Sequence, residues 1–157
     1  RSNLEQLSDI VEFAYETAMR FGEITKLQVK DIDFEKSTAK LIDTKNGETD
    51  IVPLTERALN ICDKWKFKDK VIKLENHQVL FPIQRDRFRH YFEQACKKAD
   101  VRNFTFHYLR ACCITNLFNR GWTIAQVAVV SRHKSWSELK KYTRIKPVDL
   151  VAKINEK

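Results

Sequence analysis

Apolar residues recur at spacings of three and four along most of this chain, and one island of alternating, β-branched character interrupts them. That pattern predicts a mainly helical fold carrying a small sheet. Leu4, Leu7, Ile10, Val11, Ala14, Tyr15 and Ala18 space a first helix over 4–19. Gly22 reads as a break, and 23–29 as a short second helix. Three short strands are expected at 29–34, 39–43 and 49–54, and Asn46-Gly47 between the last two is a strong hairpin signal. Thr55 suits the N-cap of a helix over 56–66, with Leu59, Ile61, Cys62 and Trp65 turned inward. A short strand at 79–81, a helix over 85–99 and a loop at 100–103 follow. Leu109, Cys112, Cys113 and Leu117 space one further helix, and Ile124, Val127, Ala128 and Val130 another. Pro147 fits the first turn of a last helix. The apolar face of that helix, with Val148, Val151 and Ile154, has two candidate partners, its own domain or a neighbouring protomer.

The expected fold class is therefore α+β, mainly helical, with a three-stranded antiparallel sheet near the N-terminal third. The 157 residues suit a single domain with a real core, and three Gly and three Pro argue against disorder or a repeat. The chain opens on Arg1 directly before a helix, so it is expected to be a fragment of something longer. Cysteines at 62, 96, 112 and 113 form no Cys-x-x-Cys pair, so neither zinc nor a disulfide framework is expected. Cys112 and Cys113 read as small buried helix residues. With no disulfide framework in view, a reducing cytoplasm is the default location, and no run approaches the roughly 20 apolar residues of a membrane span.

Charge says more. The net formal charge is +8. Residues 1–83 hold 13 Lys and Arg against 15 Asp and Glu, and residues 84–157 hold 16 against 6. The C-terminal half thus carries +10, the footprint of a polyanionic partner. Arg85, Arg87 and Arg89 on the 85–99 helix, and Lys134, are candidate phosphate contacts.

The same half gathers chemistry. His107 and Arg110 stand about one turn apart on one helix face, His133 follows in Arg-His-Lys, and Tyr142 comes nine residues later. Taken singly, each has an ordinary explanation: a helix-terminal histidine, a surface charge, a loop histidine, an amphipathic tyrosine. Together, a cationic fork, two imidazoles and a phenol suit phosphodiester chemistry with tyrosine as nucleophile. Upstream, Arg20 ends the first helix, with Glu23 three residues on and close enough to orient it. Lys45 stands beside the hairpin turn, where an ammonium can swing toward a scissile phosphate.

Arg20, Lys45, His107, Arg110, His133 and Tyr142, in that order, resemble the active-site set of the tyrosine recombinases, the phage-integrase family. The matching segments are AMRFGEITKLQVKDIDF, TKNGETDIVPL, FHYLRACCITNLFNRG and RHKSWSELKKYTR. The resemblance implies a catalytic domain of helices with a small antiparallel sheet, preceded in the whole protein by a DNA-clamping domain. Two positions depart from the family pattern, Ala18 and Arg132, where the family usually has glycine. If Arg132 needs a left-handed backbone, arginine there costs on the order of 1 kcal/mol.

By this resemblance the chain is expected to cut and rejoin double-stranded DNA. Arg20, Arg110 and His133 would bind the non-bridging oxygens of the phosphorane. Tyr142 would attack, His107 would take its proton, and Lys45 would protonate the leaving 5′ oxygen. No metal and no cofactor is expected, since the arginines supply the charge that other nucleases draw from metal ions. The partners implied are double-stranded DNA and three further copies of the protein, a homotetramer on paired sites, with no membrane. The alternatives are a type IB topoisomerase-like relaxation activity and a basic DNA-binding module with an inert tyrosine.

Overall fold

In a computed structural model, the structure describes residues 3–42, 49–66 and 78–143. Helices α1 (Asn3–Thr17) and α2 (Phe21–Ile24) open the chain. Strands β1 (Ile32–Asp33), β2 (Thr38–Ile42) and β3 (Thr49–Pro53) form an antiparallel sheet in the order β1-β2-β3. Then come α3 (Glu56–Lys66), α4 (Arg85–Lys98), α5 (Phe106–Asn119) and α6 (Ile124–Ser131), followed by short 3-10 turns at Trp136–Glu138 and Lys140–Tyr142. The α+β expectation holds. Among the described residues no helix is long and apolar enough to cross a membrane.

Thr17 stops α1. Its buried hydroxyl donates to the Phe13 carbonyl at 2.7 Å and accepts the Met19 amide at 3.3 Å, and Ala18 turns left-handed with φ 52°. The break expected at Gly22 therefore lies four residues earlier, and Gly22 is inside α2. α2 is shorter than the expected 23–29. Gln28 and Asp31 close a 3-10 turn over Val29–Asp31, with the Asp31 carboxylate accepting the Gln28 amide at 2.9 Å. The first strand consequently starts at Ile32 rather than at residue 29. The strand expected at 79–81 is a single bridge between Val79 and Gln28. Lys45, the Asn46-Gly47 turn and the helix after Pro147 lie outside the described residues.

Two apolar clusters build the interior. The larger packs Leu7, Ile10, Phe13 and Ala14 of α1 against Ala58, Ile61, Cys62 and Trp65 of α3 and Phe88 and Phe92 of α4. Thr55 caps α3 as expected, accepting the Ala58 amide at 3.2 Å, but Ala58 is buried where Leu59 is only partly so. The smaller cluster joins Ala18, Cys113, Ile114, Leu117, Val127, Val130 and Leu139, with Tyr142 packed against it. Cys112, expected to be buried beside Cys113, is exposed. Consecutive helical residues point about 100° apart, so one thiol faces the cluster and the other faces solvent.

Three rings connect the clusters to the residues of interest. Phe21 of α2, Phe88 of α4 and Phe106 of α5 meet at centroid distances of 4.6, 5.3 and 5.1 Å. The two edge-to-face contacts, of Phe106 with Phe21 and with Phe88, fix relative orientation as well as burying area. They seat the N-terminus of α2, and so the backbone of Arg20, against the first turn of α5.

Candidate active site

Arg110 is the centre of the site. It is only 3% exposed. Its Nη1 donates to the Ala18 carbonyl at 2.5 Å, and its Nη2 donates to the Ser131 carbonyl. One guanidinium thus joins α5 to the end of α1 and the end of α6. The fork expected to face an anion is partly spent on backbone, and three of the five N–H donors of an arginine remain. Burial, and after it the charges of Arg20 and Arg132, push its pKa down to about 10, so it stays cationic at neutral pH.

Arg20 has the opposite character. As the N-cap of α2, with an extended backbone, it lies between buried Met19 and the anchoring Phe21 ring, and its side chain is 54% exposed. Glu23 orients it. The carboxylate accepts the Arg20 Nη1 at 2.9 Å through Oε1 and the Arg20 amide at 2.7 Å through Oε2. This is one half of a capping box: the guanidinium has no acceptor to return, and the Glu23 amide donates to the Arg20 carbonyl at 3.0 Å instead.

Glu23 has a second cation. Arg132 Nη2 donates to Glu23 Oε2 at 2.5 Å, and Arg132 Nε lies 3.9 Å from Asp50 on β3. Arg132 caps α6 in the left-handed region, with φ 56°. Both positions where the chain departs from glycine, 18 and 132, are therefore left-handed, and each is joined to Arg110: directly through the Ala18 carbonyl, and through the Ser131 carbonyl one residue before Arg132. Desolvation lowers the Arg132 pKa, and Glu23 opposes the shift.

His133 follows immediately. Its side chain is 9% exposed, and its Nδ1 pairs with the Ser131 hydroxyl at 2.8 Å. Burial and the nearby Arg110 charge hold its pKa below the usual 6.5, with Glu138, 3.9 Å from Nε2, pulling the other way. Tyr142 ends the last 3-10 turn, its amide bonded to the Leu139 carbonyl at 3.0 Å. Leu139 is fully buried and anchors this segment on the smaller cluster. The phenol is near enough to Arg110 to act on its charge, as Arg20, Arg132 and Glu23 also do.

The structure therefore brings Arg20, Glu23, Arg110, His133 and Tyr142 together. His107 is exposed in the first turn of α5, about one helical turn before Arg110. Arg85, Arg87 and Arg89 are exposed on α4, Arg85 over the Phe21 ring at 5.8 Å and Arg89 paired with Glu93 at 2.8 Å, and Lys134 is exposed beside His133. Ser131, Arg132 and Asp50 were not singled out as site residues from sequence. The arginine at a usual glycine position was the visible signal for Arg132, and a buried serine leaves none. Among the described residues, no group of three or more His, Cys, Asp and Glu gathers as metal ligands would. Arg20 and Arg132 share Glu23, Asp50 stands farther out and exposed, and Arg110 bonds only carbonyls, so its positive charge has no bonded carboxylate and suits an anion with a phenol beside it.

The profile of the Phage integrase family matches residues 3–148. A shufflon-specific DNA recombinase of Escherichia coli is 32% identical over 93% of this chain and 36% of its own length. Tyrosine recombinase XerC of Corynebacterium glutamicum is 26% identical over 95% of this chain and 50% of its own. The chain thus spans half or less of the length of these curated relatives. Its fold is similar to that of the Tn1549 transposon integrase in complex with circular intermediate DNA, with a TM-score of 0.78 at 18% identity, covering 99% of this chain and 59% of that one. It is similar too to the catalytic domain of bacteriophage HP1 integrase, with a TM-score of 0.68 at 16% identity, covering 97% of this chain and 90% of that one. With the family profile matched over nearly its whole length, the chain belongs to the phage integrase family.

Proposed function

We propose that this chain is the catalytic part of a site-specific DNA recombinase that cuts and rejoins double-stranded DNA through a tyrosyl intermediate. The observation that carries the reading is the cationic cluster of Arg20, Arg110 and His133 with the Tyr142 phenol in its field. Family membership and relatives named as recombinases support it.

In this reaction the Tyr142 oxygen attacks the scissile phosphorus. A P–O bond to tyrosine forms and the P–O5′ bond breaks, leaving a 3′-phosphotyrosyl ester and a free 5′ hydroxyl. Arg20 and Arg110 neutralise the charge building on the non-bridging oxygens. The Ser131 hydroxyl donates to His133 Nδ1 and leaves Nε2–H as a further donor. His107 accepts the phenol proton, and Lys45 supplies the proton to the leaving oxygen. The ester conserves the bond energy, so the reverse attack by a 5′ hydroxyl reseals DNA without ATP. Arg85, Arg87, Arg89 and Lys134 contact flanking phosphates, and four copies act on two paired sites.

The test is a nicked suicide duplex selected from a randomised library, incubated with the protein and with its Tyr142→Phe variant in EDTA. A covalent band that the variant loses, while keeping its DNA binding, supports the reading. Binding without any adduct reduces the chain to a basic DNA-binding module, and supercoil relaxation without strand exchange makes it topoisomerase-like.

A further inference from the structure

Arg132 has no assigned part in the chemistry above, yet it occupies an unfavourable backbone. At φ 56° and ψ 37° an arginine is strained by its Cβ, where a glycine would cap α6 equally well without strain. Its side chain is also withdrawn from solvent, 5% exposed against 54% for Arg20. A buried guanidinium beside two other guanidiniums is tolerated only if a carboxylate balances it. That carboxylate is Glu23, whose Oε2 takes Arg132 Nη2 and the Arg20 amide while Oε1 takes Arg20 Nη1. The Arg132 Nη1 is held by the Val130 carbonyl at 3.2 Å. Its buried Nε makes no hydrogen bond and stands 3.9 Å from Asp50, an exposed carboxylate on β3.

We propose that Arg132 is a positioning residue: it fixes the Glu23 carboxylate that aims Arg20, and it ties β3 to that carboxylate through Asp50. The inference rests on the strand-transfer reading. It gives a chemical reason for arginine at a glycine position. A glycine leaves Glu23 with one cation, free to follow the exposed Arg20. With Arg132 the carboxylate is clamped from its buried side, and the Arg20 fork inherits its orientation. Arg132 does not itself reach DNA phosphate.

The test uses the full-length protein and the selected nicked duplex, with Arg132→Met, Arg132→Lys, Glu23→Gln and the Met/Gln double variant. Single-turnover adduct formation should fall about 10- to 100-fold in Arg132→Met, the scale of a misplaced catalytic group. DNA affinity and its salt dependence should stay unchanged, and Arg132→Lys, which keeps the charge, should recover much of the rate. The double variant should be no slower than the slower single, because both changes break one chain of contacts. Amide exchange in 49–53 should quicken in Arg132→Met without DNA present, a readout independent of cleavage. Wild-type cleavage left intact in Arg132→Met, losses that multiply in the double variant, a loss confined to affinity, or unchanged exchange at β3 each overturn the inference and leave the strand-transfer reading standing. Absence of any adduct with the wild-type protein instead overturns the reading, and the inference with it.

Discussion

The Arg110 guanidinium and the Ala18 carbonyl meet at 2.5 Å across 92 residues of chain, and both are buried. This contact, with its twin to Ser131, ties together the ends of α1 and α6 from the middle of the site. Arg110 is therefore a structural brace as well as a candidate anion binder. Arg110→Met should leave two buried carbonyls without a donor and destabilise the fold by about 2–3 kcal/mol. Arg110→Lys, which can serve one carbonyl, should lose about half as much. Urea unfolding measures both, and a Met variant as stable as the parent would remove the brace from the account.

Ala18 isolates the backbone part of the same junction. Glycine at this left-handed position relieves on the order of 1 kcal/mol. The Ala18 methyl, however, is fully buried in the smaller cluster, and one buried carbon is worth about 0.8 kcal/mol. The two effects nearly cancel. Ala18→Gly should shift the urea midpoint little in either direction, in contrast to a surface left-handed residue, where only the strain counts.

How far the sequence could be read depends on what kind of signal each element carried. Helices α1, α3, α4, α5 and α6 rest on apolar periodicity, and periodicity is written in the residues themselves. The sheet was legible for a similar reason, since the alternation of β2 and β3 is written within a few consecutive positions. The stop of α1 was not, because it depends on the Thr17 hydroxyl turning back onto Phe13 rather than on the glycine that seemed to supply it. The motifs that resemble the tyrosine recombinases suggested Arg20, Lys45, His107, Arg110, His133 and Tyr142 as a set. They did not reveal that Arg110 would be buried with its fork on backbone carbonyls, or that Arg132 would share Glu23 with Arg20. Those facts arise from contacts between positions 92 and 109 residues apart.

The cysteines give a test of packing that needs no DNA. Burial pushes the Cys113 thiol up to about 11 and the Cys62 thiol up to about 12, so neither offers appreciable thiolate at neutral pH. Cys112, its neighbour on the other face of α5, is exposed. Iodoacetamide on the native protein, mapped by mass spectrometry, should label Cys112 quickly. Cys62 and Cys113 should be labelled only after denaturation. Fast native labelling of Cys113 would mean that α5 is rotated from the orientation that brings Arg110 inward.

His133 allows the sign of a pH effect to be worked out. Its folded pKa lies below 6.5, so the native state resists protonation more than the unfolded chain does. Above 6.5 both states are neutral and the residue contributes no pH dependence. As pH falls through 6.5, the unfolded chain gains the proton first and the fold loses stability, until the folded pKa is passed. An NMR titration should find the His133 midpoint below 6.5. With the Ser131 hydroxyl donating to Nδ1, the direction the proposed reaction requires, the contact favours the neutral ring and Ser131→Ala should move the midpoint up. Glu138 favours the charged ring, so Glu138→Gln should move it down, by a small amount because Glu138 is 62% exposed and its charge is screened. Opposite shifts from the two variants would support the neutral, Nε2-protonated ring needed at a phosphate oxygen. A midpoint that falls in Ser131→Ala would mean that the serine accepts from an imidazolium, and the tautomer assigned to the reaction would have to be reversed.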